Sequence, residues 1–435
     1  MGLIELGEVN PSDSGDEPAA ETRPLPRPKR TRIIAAVLAA LCATGLTGAG
    51  RPAPPLLAES WSMQIGPDHY PYPFREVLLI SQGTPSGDTI TAYDMATGKV
   101  RWTSGRGTTA RWMSHDPESN QLYVAGQTRT VELPSSSILF GTDTTALDGD
   151  TGKMLWKHSG DQLAATAEQV LLGDRDELGR VNRLSLVRAR DGAPIWDRSI
   201  GTAMNVVVSD GPADSAQIIY GTDTGTLTTL RYSDGVPIAT RHVTPPEAWP
   251  DWNPQVLGGR FYDIRRGMRG TTVTTYRTDT LTELWRYNTS KDVYLHDCGP
   301  VICASDAVDS VGIDPATGAA LWELLGTDFA PIGDGRLLVS HQNTPEGQSV
   351  IDASTARVIG AAPGDSTILA LDDGDLLALR GTKTAPYRVA VSRWDPATGR
   401  MTLLGAVAGQ ADRCQVSGRR LICQGSDRAG VTDVG

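Results

Sequence analysis

The side chains most able to do chemistry in this chain are scattered along it. The six histidines occur singly, and none lies in a His-x-His or His-Glu-x-x-His arrangement, the spacings that bring two imidazoles to one metal ion. His115–Asp116 and His296–Asp297 are adjacent pairs, but neighbours on a strand face opposite sides, so neither is a ready acid–base dyad. The chain has no Gly-x-Ser-x-Gly elbow and no Walker loop. We therefore predict no catalytic residue.

Two acid-rich stretches have the oxygen ligands that calcium prefers. They are Asp174-Arg-Asp-Glu177 and Asp372-Asp-Gly-Asp375. Both lie between apolar runs, where acidic side chains more often cap turns. We predict neither a metal site nor a bound cofactor.

Five cysteines divide into Cys42 and two close pairs, Cys298 with Cys303 and Cys414 with Cys423. Cysteines that face each other across a tight hairpin come within disulfide reach. A zinc site would need a Cys-x2-Cys type of spacing, whereas four and eight residues separate the members of these pairs. We predict two disulfides, and keep free buried thiols and a metal site as weaker alternatives.

The elements that position these residues follow from a repeated turn. Its pattern is Asp-x-x-Thr-Gly-x-x-x-Trp, and three full copies contain Asp94, Gly98 and Trp102; Asp148, Gly152 and Trp156; and Asp314, Gly318 and Trp322. A fourth copy has Asp395 and Gly399 but ends in Leu403. Weaker copies begin at Arg188, Arg231, Arg277 and Asp352 and end in Trp196, Ala239, Trp285 and Gly360. The eight starts have a mean spacing of 43 residues.

The residue types explain the pattern as a turn between two strands. An alternating run such as Thr89–Tyr93 precedes the turn, which is typical of a half-buried strand. The Asp carboxylate can accept backbone N–H groups of the turn, and the Gly can adopt the positive φ that a tight reversal requires. The Trp ends the next strand and can bury about 200 Å² of surface. We expect it at the contact between neighbouring sheets.

Two more short apolar runs separate successive copies, for example Ile368–Leu371 and Leu376–Leu379. Each repeat therefore reads as four strands in an up-and-down order. Four-stranded sheets of this length, repeated radially, are the blades of a β-propeller. We predict an all-β fold with a single propeller of about eight four-stranded blades.

This repeat resembles that of the quinoprotein-type, or pyrroloquinoline-quinone-like, β-propellers, from about Trp61 to the C-terminus. The quinone-dependent dehydrogenases of that family also carry adjacent disulfide-bonded cysteines and a calcium site of Glu, Asn and Asp, and many carry a Cys-x-x-Cys-His haem motif. This chain has neither adjacent cysteines nor that motif. The resemblance thus implies the fold and not the cofactor.

The two ends of the repeat region resemble the ring closure of the same family. Glu59–Ile65 looks like an outermost strand without its own sheet, and the segment after Cys414 looks like three strands of a blade that lacks its fourth. Pairing these ends would close the ring. Eight turns and one composite blade make nine units, against a commoner family number of eight, so seven and nine stay open as alternatives.

The N-terminal region differs from the rest of the chain. Residues 1–32 are rich in charge and proline, which predicts a disordered tail. Residues 33–50 are uncharged and follow the basic cluster 27–32, which predicts a transmembrane helix with its N-terminus in the cytoplasm. A cleaved signal peptide is the alternative. We expect residues 51–58 to be a linker and residues 59–435 to be an extracytoplasmic propeller.

A Pro-rich insertion at residues 245–254 contains Trp249 and Trp252. Tryptophan is enriched at the energetic centres of binding surfaces, so this insertion is a possible contact loop. The alternative is that both rings cover the rim of the propeller's central opening.

Composition limits the partners. The net charge of −11 and the pI near 5.1 disfavour nucleic acid and anionic lipid as general partners. The order of tail, anchor and propeller resembles envelope proteins of high-GC Gram-positive bacteria. We predict a monomeric, membrane-tethered, non-catalytic module that binds an envelope protein or a small ligand. A quinone-dependent oxidoreductase and a small-ligand sensor that signals through the tail are the alternatives.

Overall fold

The structure is a computed structural model, and it describes residues 55–66, 69–84, 87–108, 113–115, 119–132, 137–209, 214–245, 252–306, 308–341, 347–382 and 387–435. These residues form antiparallel β-strands and one short 3-10 turn, Ala411–Arg413. The predicted all-β fold is confirmed. The predicted tail, the predicted transmembrane helix and residues 51–54 of the predicted linker lie outside the described residues. Within the described residues, we find no helix with the length and apolar character to span a membrane.

Most strands form consecutive four-stranded sheets, which we call units and number along the chain. Unit 1 contains β2 (His69–Phe74), β3 (Val77–Thr84), β4 (Gly87–Asp94) and β5 (Val100–Thr108). Unit 2 contains β6 (Met113–His115), β7 (Gln121–Ala125), β10 (Asp143–Asp148) and β11 (Met154–Ser159). Between β7 and β10 a separate hairpin is formed by β8 (Thr128–Glu132) and β9 (Ser137–Gly141).

Units 3 and 4 share one long strand and so form a seven-stranded sheet. Its strands are β12 (Asp161–Ala165), β13 (Gln169–Arg175), β14 (Val181–Arg188), β15 (Pro194–Val208), β16 (Gln217–Thr222), β17 (Thr226–Arg231) and β18 (Pro237–His242). The first part of β15 pairs with β14 up to Ala203, and its last part pairs with β16 from Ala203 onward. The strand is therefore the outermost strand of unit 3 and the innermost strand of unit 4.

The next four units repeat the simple order. Unit 5 contains β19 (Gln255–Leu257), β20 (Arg260–Gly267), β21 (Gly270–Arg277) and β22 (Glu283–Thr289). Unit 6 contains β23 (Tyr294–Asp297), β24 (Ile302–Ser305), β25 (Ser310–Ile313) and β26 (Ala320–Leu324). Unit 7 contains β27 (Thr327–Pro331), β28 (Arg336–His341), β29 (Gln348–Asp352) and β30 (Val358–Ala361). Unit 8 contains β31 (Thr367–Ala370), β32 (Leu376–Gly381), β33 (Arg388–Asp395) and β34 (Arg400–Ala408).

The two ends of the repeat region form one sheet, which we call the closing unit. It contains β35 (Cys414–Ser417), β36 (Arg420–Gln424), β37 (Arg428–Asp433) and, as its outermost strand, β1 (Glu59–Gln64). The pairs Ser62 with Gly430 and Met63 with Ala429 set the register of β1 against β37. The predicted pairing of the two ends is confirmed.

The core is divided into clusters that lie between consecutive units. Phe74, Leu79 and Trp102 of unit 1 pack against Leu122 and Val124 of unit 2, and a corresponding cluster joins each later unit to the next. The closing unit packs on unit 1 through a further cluster that contains Ile422, Val431, Leu78 and Ile80. Because apolar burial is the main favourable term in folding, each unit depends on both neighbours for its stability.

The repeated turn has the geometry that its residue types predict. Oδ1 of Asp94 accepts the N–H groups of Ala96 and Thr97, at 3.1 and 2.8 Å, and the Thr97 hydroxyl at 2.8 Å. Hydrogen bonds from Arg101 and Thr97 lower the pKa of Asp94 to about 2. Gly98 has a φ of 69°, a conformation that side chains with a Cβ rarely adopt.

Each repeat tryptophan packs on the turn of the following unit. Its indole N–H donates to the carbonyl of the second turn residue at 2.5–2.9 Å, in the pairs Trp61 with Met95, Trp102 with Gly149, Trp156 with Ala189, Trp196 with Tyr232, Trp285 with Pro315 and Trp322 with Ala353. In five of these pairs the ring lies on the turn glycine, where an added Cβ would come within 3.0 Å of a ring atom. We call this arrangement the Trp-on-turn contact.

The Trp-on-turn contact differs where the tryptophan is missing or shifted. Gly360 stands at the tryptophan position of unit 7, and the space over Gly399 in the next turn is empty to 4 Å. Ala239 stands at that position in unit 4, and the next turn has Leu281 in place of glycine. Trp322 lies against Gly312 of its own unit, where an added Cβ would meet the ring at 2.1 Å. The turn of unit 7 that accepts its indole N–H has Ala356 in place of glycine.

These differences generate a stability prediction. Gly318 and Gly399 have φ values of 74° and 69°, so alanine suffers the same backbone strain at either site. An added Cβ at Gly318 would meet the Trp285 ring at 2.6 Å, whereas Gly399 has open space. We expect Gly318→Ala to lower the free energy of unfolding by about 1–3 kcal/mol more than the matched control Gly399→Ala, measured by urea denaturation. Equal losses would show that the ring does not pack on the turn.

Candidate partner-binding groove

The predicted contact loop is only partly described. Trp249 lies outside the described residues, and Trp252 is 3% exposed in the cluster between units 4 and 5. Its ring covers Gly221, where an added Cβ would meet the ring at 2.2 Å. Its indole N–H donates to Oδ1 of Asp263 at 2.7 Å. The prediction of a contact surface at Trp252 is therefore wrong, because a glycine makes room for the ring and a buried carboxylate satisfies its N–H.

Trp252 instead anchors a set of polar contacts that reaches the surface. Asp263 is 2% exposed and accepts two further hydrogen bonds from Nε of Arg265, at 2.8 and 3.0 Å. Nη1 of Arg265 donates to the carbonyl of Thr244. A buried carboxylate needs a paired cation, and here the pair fixes the position of the arginine at the molecular surface.

A groove of about 590 Å³ opens beside Arg265, between units 4 and 5. One wall is the end of β18 with residues 241–245, and the other is the hairpin of β20 and β21. Thr272, Thr274 and Tyr276, which alternate along β21, line the groove together with Glu283 and Arg286 of β22. The volume is in the range of sites that bind small molecules or short segments of a chain.

The lining of the groove is strongly basic although the chain is acidic. Five arginines line it, against the carboxylates of Asp263 and Glu283, and the arginines are Arg241, Arg265, Arg266, Arg269 and Arg286. Counted over the described residues that line the groove, this is a formal surplus of three positive charges, and Asp292, which pairs with Arg266, lowers it to two. A local positive field on a body of charge −11 attracts negative partners to this place.

Contacts within the protein orient most of these arginines. Arg241 lies over the Tyr276 ring at 5.0 Å and donates to the carbonyl of Leu281 at 3.0 Å. Burial, followed by the nearby Asp263, raises the pKa of Tyr276. Arg286 pairs with Glu283 at 3.3 Å. Such exposed pairs contribute little to stability, but they keep the side chains in place along the groove.

The tip of the β20–β21 hairpin projects Met268 and Arg269. Met268 is completely exposed, and Arg269 forms no ion pair with any residue that the structure describes. Gly270, with a φ of 110°, follows them, and an added Cβ there would lie 2.1 Å from the carbonyl oxygen of Thr289. The hairpin therefore needs glycine at this position, because its backbone passes close to the end of β22 at Thr289. Met268 therefore places an apolar side chain directly beside the positive charge of Arg269.

The other sequence predictions fall on structural features. Disulfides join Cys298 to Cys303 and Cys414 to Cys423, as predicted. Cys414 and Cys423 are direct partners in the pairing of β35 with β36. Among the residues that the structure describes, no cluster of three metal-ligating side chains is found.

Sequence reasoning missed the groove. Its arginines come from three segments that only strand pairing and packing bring together. The one local signal is the run Arg265-Arg-Gly-Met-Arg269, a dense basic group in an acidic chain.

A family profile supports the repeat over part of the chain. The sequence profile of a family described as outer membrane protein assembly factor BamB matches residues 180–329. BamB from Moraxella catarrhalis is 16% identical, with a TM-score of 0.45 over 75% of this chain and 97% of that chain. The C-terminal WD40 domain of Sif2 is 11% identical, with a TM-score of 0.40 over 88% and 99%.

A eukaryotic initiation factor is 11% identical, with a TM-score of 0.51 over 82% of this chain and 92% of that chain, a likeness of fold alone. No curated protein sequence matches this chain.

The buried end of the Arg265 contacts can be tested by stability. Replacing Arg265 with methionine leaves the carboxylate of Asp263 buried without its cation, so we expect Arg265→Met to cost about 3–5 kcal/mol of unfolding free energy. Arg286→Met removes a similar side chain from an exposed pair and should cost less than about 1 kcal/mol. Urea denaturation followed by tryptophan fluorescence measures both. A small loss for Arg265→Met would contradict the described contacts.

Proposed function

Because the chain is a β-propeller protein of the pyrroloquinoline-quinone-like repeat type, we propose that it is a non-catalytic module that binds another protein. The observation that carries this proposal is the basic groove between units 4 and 5, with the exposed Met268 at its edge. Repeat architectures present hairpin loops on a stable ring, and such loops are common contact surfaces.

The place of action that we propose is the cell envelope. We infer from the sequence that residues 1–32 are a cytoplasmic tail, residues 33–50 a transmembrane helix, residues 51–58 a linker and residues 59–435 the exported propeller. Two disulfides support an oxidising compartment for the propeller. The name of the matched family refers to assembly of outer membrane proteins, and from it we carry over only binding to an envelope protein.

We also infer that the ring has nine blades, one more than the eight predicted. Division of the seven-stranded sheet at β15 supports this count, because each half then has four strands. Nine apolar clusters among the described residues support it too, since each lies between two consecutive units and the ninth joins the closing unit to unit 1.

Cross-linking in intact cells tests the proposed function. We expect a membrane-impermeant amine-reactive reagent to link the full-length chain to a defined partner protein, because the propeller lies outside the membrane and binds protein. An interior cytoplasmic protein serves as the control and must stay unlabelled.

Two outcomes would contradict the proposal. One is the absence of any specific cross-linked partner. The other is dye reduction by the purified chain when the quinone, calcium and an alcohol or sugar are supplied, which would identify an oxidoreductase.

A further inference from the structure

We propose that the groove between units 4 and 5 binds an acidic, extended peptide segment of the partner protein, with Met268 contacting an apolar residue of that segment. The proposal rests on the protein-binding function proposed above and names the chemistry of the partner at this site. It depends on the distribution of charge along the groove, on the depth of its arginines and on the exposed hairpin tip.

The positive charge of the groove is distributed along its length. Arg241 lies at the wall formed by unit 4, Arg265 beside Asp263, and Arg286 on β22, while Arg269 lies at the hairpin tip. A ligand that matches this pattern carries several negative charges spaced along a chain. Complementary charges of this kind speed association and select the partner.

A single small anion fits the groove less well. Arg241, Arg265 and Arg286 already pair with carboxylates, at 3.3, 2.8 and 3.3 Å. Binding one phosphate would require several of these pairs to break at one point. A peptide can instead place successive carboxylates near the outer edges of the arginines and leave the internal pairs intact.

A membrane surface fits less well than a peptide because two of the five arginines are recessed. The side chains of Arg265 and Arg266 are only 22% and 20% exposed, and Arg266 lies over the Tyr294 ring at 4.2 Å. A flat array of lipid headgroups would reach Arg269 and the half-exposed Arg286 but not Arg265 and Arg266. An extended chain can enter the groove and contact the hydroxyls of Thr272 and Thr274, which line it.

Met268 gives the site an apolar contact next to the charges. Its side chain is completely exposed at the hairpin tip, beside Arg269. Methionine is flexible and polarisable, and it adapts to partners of different shape. We therefore expect the bound segment to carry an apolar residue among its acidic ones.

The experiment measures peptide binding to the full-length chain in nanodiscs of uncharged lipid. The probe is a fluorescein-labelled peptide of glutamates with one central leucine, and the control probe has glutamine in place of glutamate. We expect the glutamate peptide to bind at least about tenfold more tightly than the glutamine peptide, and its affinity to fall as salt is raised. Fluorescence anisotropy gives both affinities.

Two variants at the hairpin tip test the position of the site. Arg269→Glu and Met268→Ser change exposed side chains, so each should fold normally and weaken peptide binding about threefold to tenfold. Arg400→Glu is the matched control, because Arg400 is also an exposed arginine in a hairpin, that of unit 8. It should leave the affinity unchanged.

Each contrary result has a distinct meaning. Equal binding of the two peptides, or no effect of the tip variants, would overturn the proposal. Displacement of the peptide by millimolar inorganic phosphate would indicate a small-anion site, and stronger Arg269-dependent binding to phosphatidylglycerol vesicles would indicate a membrane contact; either overturns it. If the partner protein still cross-links to the Met268→Ser and Arg269→Glu variants in cells, the groove is not the place where the partner binds. The proposed protein-binding function then still stands. If no partner cross-links at all, the function itself fails.

Discussion

The Trp-on-turn contact is the interaction on which the ring depends. It joins one unit to the next by apolar packing and by a hydrogen bond from the indole N–H to a turn carbonyl. In five of the six pairs the turn has room for the ring because its glycine adopts a positive φ and has no side chain under the ring. At the six junctions that have a tryptophan, local turn chemistry and the packing of neighbouring sheets are thus one constraint, which explains why the pattern is repeated.

The groove lies where this contact is replaced. In unit 4 the tryptophan position is Ala239 and the next turn has Leu281 in place of glycine. Arg241, two residues further along β18, donates to the carbonyl of Leu281 and lies over Tyr276. Trp252, which lies in the connection between units 4 and 5, packs in the apolar cluster between these two units. Arg241 therefore lies at the surface beside the position that has tryptophan in other units. It contributes to the positive surface between units 4 and 5 that we propose to bind a partner.

The sequence predicted the repeated turns well because Asp, Gly and Trp each have a local reason to occur there. It also predicted the pairing of β1 with β37 and both disulfides. The eight turns and the composite blade indicated nine units, and the prediction of eight came from the commoner number in the family that the repeat resembles. That β15 serves two sheets could not be seen from the sequence. Trp252 was misjudged because its partner, Asp263, comes from β20, the second strand after it. The arginines of the groove are distant in sequence, and only packing brings them together.

The central claim is that the body is one closed ring, completed when β1 joins the sheet of β35–β37. Facing residues in an antiparallel pair lie within the distance that a disulfide spans, and Met63 faces Ala429. Cysteines at these two positions, with Cys42→Ser to remove the remaining cysteine outside the two disulfides, should form a disulfide under mild oxidation, detected as linked peptides by mass spectrometry. A cysteine pair at Met63 and Ala361, which lies in unit 7, should not. Failure of the first pair to link, or equal linking of both pairs, would contradict ring closure.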